Sequence, residues 1–168
     1  MRLLGHTADG AKVFNRHTSH NHVDSSLLSA AIARASVERR FFTSVTVEFG
    51  EPVGYTECVE TTDTDDIVYA VRLNRTGHTR FVTNRQPLPS SKVTLILKQI
   101  DQSNNDYVLV TAFIGGQAEP EPFDPKATER AWDYWSKHAL VWCPESIDSS
   151  TVTRTCPWIR KPGHGRYR

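Results

Sequence analysis

Alternating apolar and polar positions between residues 67 and 114 predict four β-strands. A strand that is buried on one face repeats apolar side chains every second residue, and this period recurs in four runs. The runs are joined in pairs by "NRTGH" and "DQSNN", short polar connections that are typical of hairpins. The predicted strands cover residues 67–73, 79–84, 92–100 and 107–114, and "FFTSVTVEF" adds a candidate strand before them.

The alternation also predicts which side chains of these strands face the core. Successive side chains point to opposite faces of a sheet, so an apolar set at every second position is expected to be buried. The positions expected to be buried are Val93, Leu95, Leu97, Val108, Val110 and Ala112. Tyr107, Leu109 and Thr111 are then expected on the opposite face.

Two further segments have the apolar spacing of an α-helix. Residues 24–40 begin with Asp24, a favourable N-cap residue, and continue with apolar side chains at helical spacing. A second helix is expected with Asp124 as its N-cap and Pro125 at its first helical position. Its apolar face would consist of Trp132, Trp135 and Ala139.

The chain length and the spacing of these elements favour one domain. A chain of 168 residues can bury a single core, and no internal repeat or long linker interrupts it. We therefore predict a single α+β domain over residues 1–148, in which a curved antiparallel four-stranded meander packs against the N-terminal helix, with a further C-terminal helix. Residues 149–168 end in "RKPGHGRYR" and are expected to form a basic, mobile tail.

Hydropathy and cysteine content indicate the cellular compartment. No apolar run approaches the roughly 20 residues needed to span a bilayer, and "MRLLGHTADG" lacks the apolar stretch of a signal peptide. The three cysteines, Cys58, Cys143 and Cys156, are widely spaced and form no C-x-x-C motif. We expect a protein of the reducing cytoplasm that does not contact a membrane. A bridge between Cys143 and Cys156 is left open.

Charged residues are strongly segregated along a chain whose formal net charge is only +1. Seven acids and no Lys or Arg lie between Glu48 and Asp66, whereas six basic residues and no acid lie between Arg72 and Lys98. One basic face is enough to hold phosphates, even when the net charge is small. The distribution therefore favours a nucleic acid such as RNA as the partner, and the alternative is a solvated hairpin tip.

The stretch "RLNRTGHTR" contains the first candidate site residues. If the four strands form one meander, Arg72, Arg80, Lys92 and Thr111 share an open face of the sheet. Cleavage of RNA without a metal needs proton transfer and positive or hydrogen-bonding groups around the phosphate. We predict that His78 transfers protons, that Arg80 contacts the phosphate and that Thr111 hydrogen-bonds to it. The candidate substrate-binding residues are Arg72, Lys92, Arg75 and Tyr107.

The order of these elements resembles a known class of toxins. An N-terminal helix, a strand with "GHTRFV" and a last strand "VLVTAFIGG" followed by "PEPF" are similar to the barnase/EndoU/colicin/RelE-like superfamily of small metal-independent RNase toxins. The resemblance covers residues 24–123 and implies a site formed by Arg80, His78 and Thr111. Since such families often carry a catalytic His or basic residue on the first helix, His22 is a second candidate for proton transfer. A neutralising antitoxin or immunity protein is an implied partner, and no cofactor is expected.

Two alternatives remain beside the ribonuclease. The same basic face could serve a nucleic-acid-binding or partner-binding module that catalyses nothing. In "HTSHNHVD", residues His20, His22 and Asp24 match part of a metallo-hydrolase signature, and imidazoles with a carboxylate are good zinc ligands. Because Ser25 stands where that signature has its last histidine, we predict that this run is a loop leading to an N-cap and that it binds no metal.

Overall fold

A computed structural model of the chain describes residues 1–16, 23–37, 41–101 and 103–158. In chain order the strands are β1 (Arg2–His6), β2 (Lys12–Asn15), β3 (Phe42–Glu48), β4 (Gly54–Thr56), β5 (Cys58–Glu60), β6 (Ile67–Arg72), β7 (His78–Val82), β8 (Leu88–Ser90), β9 (Lys92–Asp101), β10 (Asp106–Ile114), β11 (His138–Val141) and β12 (Ile147–Thr153). The helices are α1 (Ser25–Arg34) and α2 (Glu129–Lys137), and a 3₁₀ turn covers Pro144–Ser146.

The chain forms two compact units. The first unit combines Met1–Thr56 with Pro89–Gln117, and the second combines Glu57–Leu88 with the chain from Ala118 onward. Both units contain residues of the predicted domain 1–148, and β12 continues into the predicted tail. Neither α-helix in the described ranges is long and apolar enough to cross a membrane.

The predicted four-stranded meander is wrong. All four strands are present, but the β6–β7 hairpin and the β9–β10 hairpin belong to different five-stranded sheets. The sheet of the first unit has the order β1-β2-β10-β9-β3, and that of the second has the order β12-β6-β7-β11-β5. A third sheet pairs β4 with β8. The fold is therefore mostly β-sheet, because short strands from distant parts of the chain pair with the edges of each predicted hairpin.

Helix α1 covers one face of the first sheet and forms the core of the first unit with it. Its buried residues Leu28, Ala31 and Ile32 pack in one cluster with the fully buried side chains of Val93, Leu95 and Leu97. The predicted N-cap is confirmed, because Asp24 Oδ1 accepts a hydrogen bond of 3.0 Å from the Leu27 amide. The three predicted core positions of β9 are also confirmed.

A β-bulge in β10 overturns the predicted alternation of that strand. Leu109 pairs with Leu97, but Thr111 rather than Val110 pairs with the next residue, Ile96. The extra residue shifts the alternation, as bulges do. Val110 is consequently 47% exposed, although we predicted it to be buried, and Leu109 is buried, although we predicted it to face outward. Thr111 keeps its predicted place on the face away from the core.

The second unit departs from prediction at its helix. Helix α2 begins after Thr128 as N-cap, four residues later than predicted. Asp124 instead stabilises a turn, in which its Oδ1 accepts from the Lys126 amide at 2.9 Å and its carbonyl accepts from the Ala127 amide. Asp followed by Pro is as favourable at the start of a turn as at the start of a helix. Trp135 is buried as expected.

Candidate functional site

Arg72 of the predicted phosphate site is bound by a carboxylate of its own unit. Its Nη2 donates to Glu121, and its Nε donates to Thr79 Oγ1 at 3.2 Å. Thr79 Oγ1 in turn donates to Glu121 Oε1. Phe123 packs against Gly77 so closely that a Cβ at position 77 would lie 2.2 Å from its side chain. The "PEPF" segment thus covers the Arg72 side of the hairpin.

His78 and Arg80 lie on the other face of the second sheet. Arg80 is the strand partner of Tyr69, and its neighbour Thr79 is the strand partner of Ala70. Because Arg72 hydrogen-bonds to Thr79, it lies on the Thr79 face, and the two arginines point to opposite faces of the sheet. Arg80 Nη1 donates to Thr61 Oγ1 at 2.8 Å and to the His138 carbonyl at 3.0 Å. His78 Nε2 lies 3.1 Å from the Thr151 carbonyl oxygen, so Nε2 carries the proton of this contact.

Arg75, at the tip of the hairpin, is exposed and donates to the carbonyl of its neighbour Asn74 at 3.1 Å. This is the arrangement expected of a solvated tip. The hairpin therefore combines one exposed cation with two arginines that hold parts of the second unit together.

The segregated charges pair with each other across the second unit. Arg85 lies 3.1 Å from Asp65, and Arg154 lies 2.5 Å from Asp66. The Thr62 amide and Arg85 lower the pKa of Asp65, and Arg154 and Thr83 lower the pKa of Asp66. An interval without acids is thus not a free basic surface, because the acids come from elsewhere in the sequence.

The replacement Glu121→Gln is expected to lower the free energy of unfolding by about 2 kcal/mol, because it removes the charge that binds a largely buried guanidinium. The side chains of Arg72 and Glu121 are only 22% and 13% exposed. The measurement is urea denaturation followed by circular dichroism. The matched control is Glu119→Gln, whose partner Arg130 is 86% exposed, and which should change stability by less than about 0.5 kcal/mol. Equal effects of the two replacements would contradict the assigned role of Glu121.

The remaining predicted site residues, Lys92, Thr111 and Tyr107, belong to the first unit. Tyr107 is fully buried in its core, so the ring presents no surface to solvent. Lys92 is exposed and pairs along the strands with Glu48. The Ser91 hydroxyl, the Gly50 amide and Lys92 all lower the pKa of Glu48. Lys92 therefore faces a carboxylate at that end of the sheet.

A cavity of about 510 Å³ lies along β3 of the first unit. Its lining consists of Ser36, Phe42, Thr43, Ser44, Val45, Thr46 and Gln117. The strand register places Ser44, Ile96 and Thr111 in one row across β3, β9 and β10, and places Thr46 and Thr94 in the next row. We call this surface, formed by Ser44, Thr46, Thr94 and Thr111, the hydroxyl face.

Two of the four hydroxyl groups already donate a hydrogen bond within the protein. Thr94 Oγ1 donates to the Gly115 carbonyl at 2.7 Å, so Thr46 must be the donor in its 2.9 Å contact with Thr94. By contrast, Ser44 Oγ is buried and has no hydrogen-bond partner among the residues that the structure describes. Within the same residues the Thr111 hydroxyl also makes no hydrogen bond. Ser44 and Thr111 are therefore the two free donors of the hydroxyl face.

A cation and two aromatic rings lie at one end of this face. Lys98 is exposed and pairs with Phe42 along the strands, and its Nζ lies 5.4 Å from the centre of the Phe41 ring. Lys98 makes no ion pair in the described part of the chain. Unlike Lys92, it is a positive charge that an anion could bind without competing with a carboxylate.

Sequence reasoning missed Ser44, Thr94, Phe42 and Lys98 as site residues. The alternation in "FFTSVTVEF" could have placed Phe42, Ser44 and Thr46 on one face of a strand. Nothing in the sequence distinguishes a buried hydroxyl without a partner from an ordinary strand serine, because that property depends on the neighbouring strands.

The described residues do not assemble a metal site. No three His, Cys, Asp or Glu side chains in the described ranges are grouped so that they could hold a metal ion. His20 and His22, the histidines of the predicted loop, lie outside the described residues. Asp24 acts as the N-cap, and the Leu27 amide and the Ser26 hydroxyl lower the pKa of its carboxyl.

None of the three cysteines forms a disulfide, including Cys143 and Cys156, whose pairing the sequence left open. Burial raises the pKa of the Cys58 thiol, whose sulfur lies 3.3 Å from the Tyr134 hydroxyl. Since the thiolate is the reactive form of cysteine, Cys58 is a poor nucleophile at neutral pH.

Comparisons of the chain with protein-family models, with curated proteins and with solved structures found no match.

Proposed function

We propose that the protein is a metal-independent endoribonuclease that cleaves RNA phosphodiesters at the hydroxyl face. The observation that carries this proposal is the buried Ser44 Oγ, which has no hydrogen-bond partner among the described residues and lies beside a cavity, in one row with the Thr111 hydroxyl. Burying a polar group without a hydrogen bond costs about 1–3 kcal/mol. Such a group needs an explanation in a native protein, and a ligand that accepts its hydrogen bond supplies one.

The chemistry of RNA cleavage uses the groups that this face offers. Attack of the 2′-hydroxyl oxygen on phosphorus builds negative charge on the non-bridging oxygens, and fixed donors stabilise that charge most in the transition state. Thr111 lies two strands from Ser44, about 10 Å away by strand spacing, and can donate to an RNA chain that crosses the strands. Ser44 can donate after its side chain rotates to another staggered rotamer toward the cavity. Lys98 supplies a positive charge for the same or the neighbouring phosphate.

The residues that move protons stay predictions from the sequence. His22 lies outside the described residues, and His78 binds a carbonyl oxygen of the second unit. The roles that we predicted for Arg72, Arg75, Arg80 and Lys92 also stay predictions. Replacement of Arg80 by alanine tests the role predicted for that residue, because our sequence prediction expects cleavage to be lost in a folded protein.

The deciding experiment is incubation of the purified protein with a short fluorescent RNA in excess EDTA. We expect cleavage that persists in EDTA and yields a 2′,3′-cyclic phosphate and a 5′-hydroxyl, the products of attack by the 2′-hydroxyl. Binding of RNA with no cleavage would instead support the alternative, a binding module without catalysis. Cleavage that EDTA abolishes and zinc restores would support the metallo-hydrolase alternative. Failure to bind or cleave RNA would refute the proposal.

Toxicity and neutralisation follow from the same proposal. A cytoplasmic ribonuclease of this class should arrest growth when it is expressed, and a neutralising antitoxin or immunity protein would relieve that arrest. Three cysteines that form no disulfide are compatible with action in a reducing cytoplasm.

A further inference from the structure

Two phenylalanines that are adjacent in the sequence are exposed at the start of β3. Phe41 is 64% exposed and Phe42 is 55% exposed, which is unusual for adjacent phenylalanines on a folded surface. Exposed apolar patches of this kind often mark a surface that binds a partner or a ligand.

The groups around the two phenylalanines could bind the base and the phosphate of a nucleotide. Phe42 lines the same cavity as Ser44, which lies two residues further along β3, at a distance of about 7 Å by the rise of a strand. Lys98 is the strand partner of Phe42 and lies beside the Phe41 ring. One short stretch of surface thus offers a ring face, a positive charge and a hydroxyl, which match a base and its phosphate.

From this arrangement we infer that Phe42 stacks against an unpaired base, so that the substrate of this site is single-stranded RNA. The inference rests on the proposed ribonuclease and adds its substrate class. Bases of a duplex have both faces covered by their neighbours, whereas bases of a single strand can stack on aromatic side chains. An apolar protein partner fits less well, because it would desolvate Lys98 without pairing its charge.

The test is RNA binding measured by fluorescence anisotropy in the Thr111→Val background, in which cleavage should not interfere. The probes are a short single-stranded RNA and a duplex of the same sequence. We expect the single strand to bind more tightly, and Phe42→Ala to weaken its binding by about 5- to 150-fold without altering duplex binding. Phe42→Trp should keep the affinity of the parent protein, because tryptophan also offers a ring face for stacking. Tyr55→Ala is the matched control, because Tyr55 is 67% exposed in the same unit but does not line the cavity.

Salt dependence separates stacking from charge. Phe42→Ala should leave the slope of log affinity against log salt unchanged, whereas Lys98→Ala should flatten it by about 0.7, the contribution of one phosphate contact on a single strand. If Phe42→Ala binds the single strand as tightly as the parent protein does, the stacking inference is wrong, while cleavage by the wild-type protein would leave the proposed function standing. A wild-type dimer that Phe42→Ala converts to a monomer would also overturn it, because the rings would then join two copies of the chain.

Discussion

Replacing Gly115 with alanine is expected to lower the free energy of unfolding by at least about 3 kcal/mol, through a strained backbone and a steric overlap together. Gly115 follows β10 with a φ of +110°, which an L side chain rarely adopts. A Cβ there would lie 2.6 Å from Thr56 Oγ1 and 3.0 Å from Thr56 Cβ. Its carbonyl also accepts the hydrogen bond from Thr94, so the replacement should disturb the hydroxyl face as well.

The matched control is Gly10→Ala. Gly10 also has a positive φ, of +86°, but a Cβ there would meet no atom within 4 Å. Gly10→Ala should lower the free energy of unfolding by only about 1–2 kcal/mol, the strain of placing an L side chain at a positive φ. Chemical denaturation of both variants gives the comparison. Equal destabilisation would show that Thr56 moves aside freely and that the overlap adds nothing.

Strand positions were predictable from the sequence because alternation is a local property. All four strands between residues 67 and 114 lie close to their predicted positions. Their partners were not predictable, since pairing depends on edges that β3, β2, β12 and β11 occupy from other parts of the chain. The prediction of a single meander was wrong for this reason. Neighbouring hairpins in a sequence need not share a sheet.

The bulge in β10 shows why burial was harder to predict than strand position. Both alternating sets of "DYVLVTAFI" are largely apolar, so the pattern does not decide which set faces the core. The bulge uses part of each set: Leu109 and Ala112 are both buried although they lie three residues apart. Thr111 lies on the outer face as the sequence predicted, because the alternation with its buried neighbour Ala112 holds beyond the bulge.

The basic and acidic residues are segregated along the sequence, but the sequence does not show which acids pair with which basic residues in the fold. Arg72 pairs with Glu121, which lies 49 residues further along the chain. An acid-free interval excludes only local partners. The candidate site of the first unit depends instead on Ser44, whose importance comes from a buried oxygen atom and therefore from the packing around it.

Loss of either free hydroxyl is expected to lower the rate of RNA cleavage by about 100-fold or more, the usual effect of removing one donor to a developing anion. The variants are Thr111→Val and Ser44→Ala, measured with the fluorescent RNA under single-turnover conditions. Thr46→Val is the control on the same face, because the Thr46 hydrogen already serves Thr94 and is not available to the phosphate. It should retain most of the activity.

The stability of Ser44→Ala distinguishes a functional hydroxyl from a structural one. A structural hydroxyl stabilises the fold, so its removal destabilises the protein. Ser44 Oγ is buried without a partner in the described part of the chain, so its removal should leave the free energy of unfolding unchanged or raise it by about 1 kcal/mol. The expected combination is lost cleavage with equal or greater stability, measured by urea denaturation beside the cleavage assay. If Ser44→Ala lost stability and cleavage together, Ser44 would be part of the framework, and the proposed site would lose the observation on which it rests.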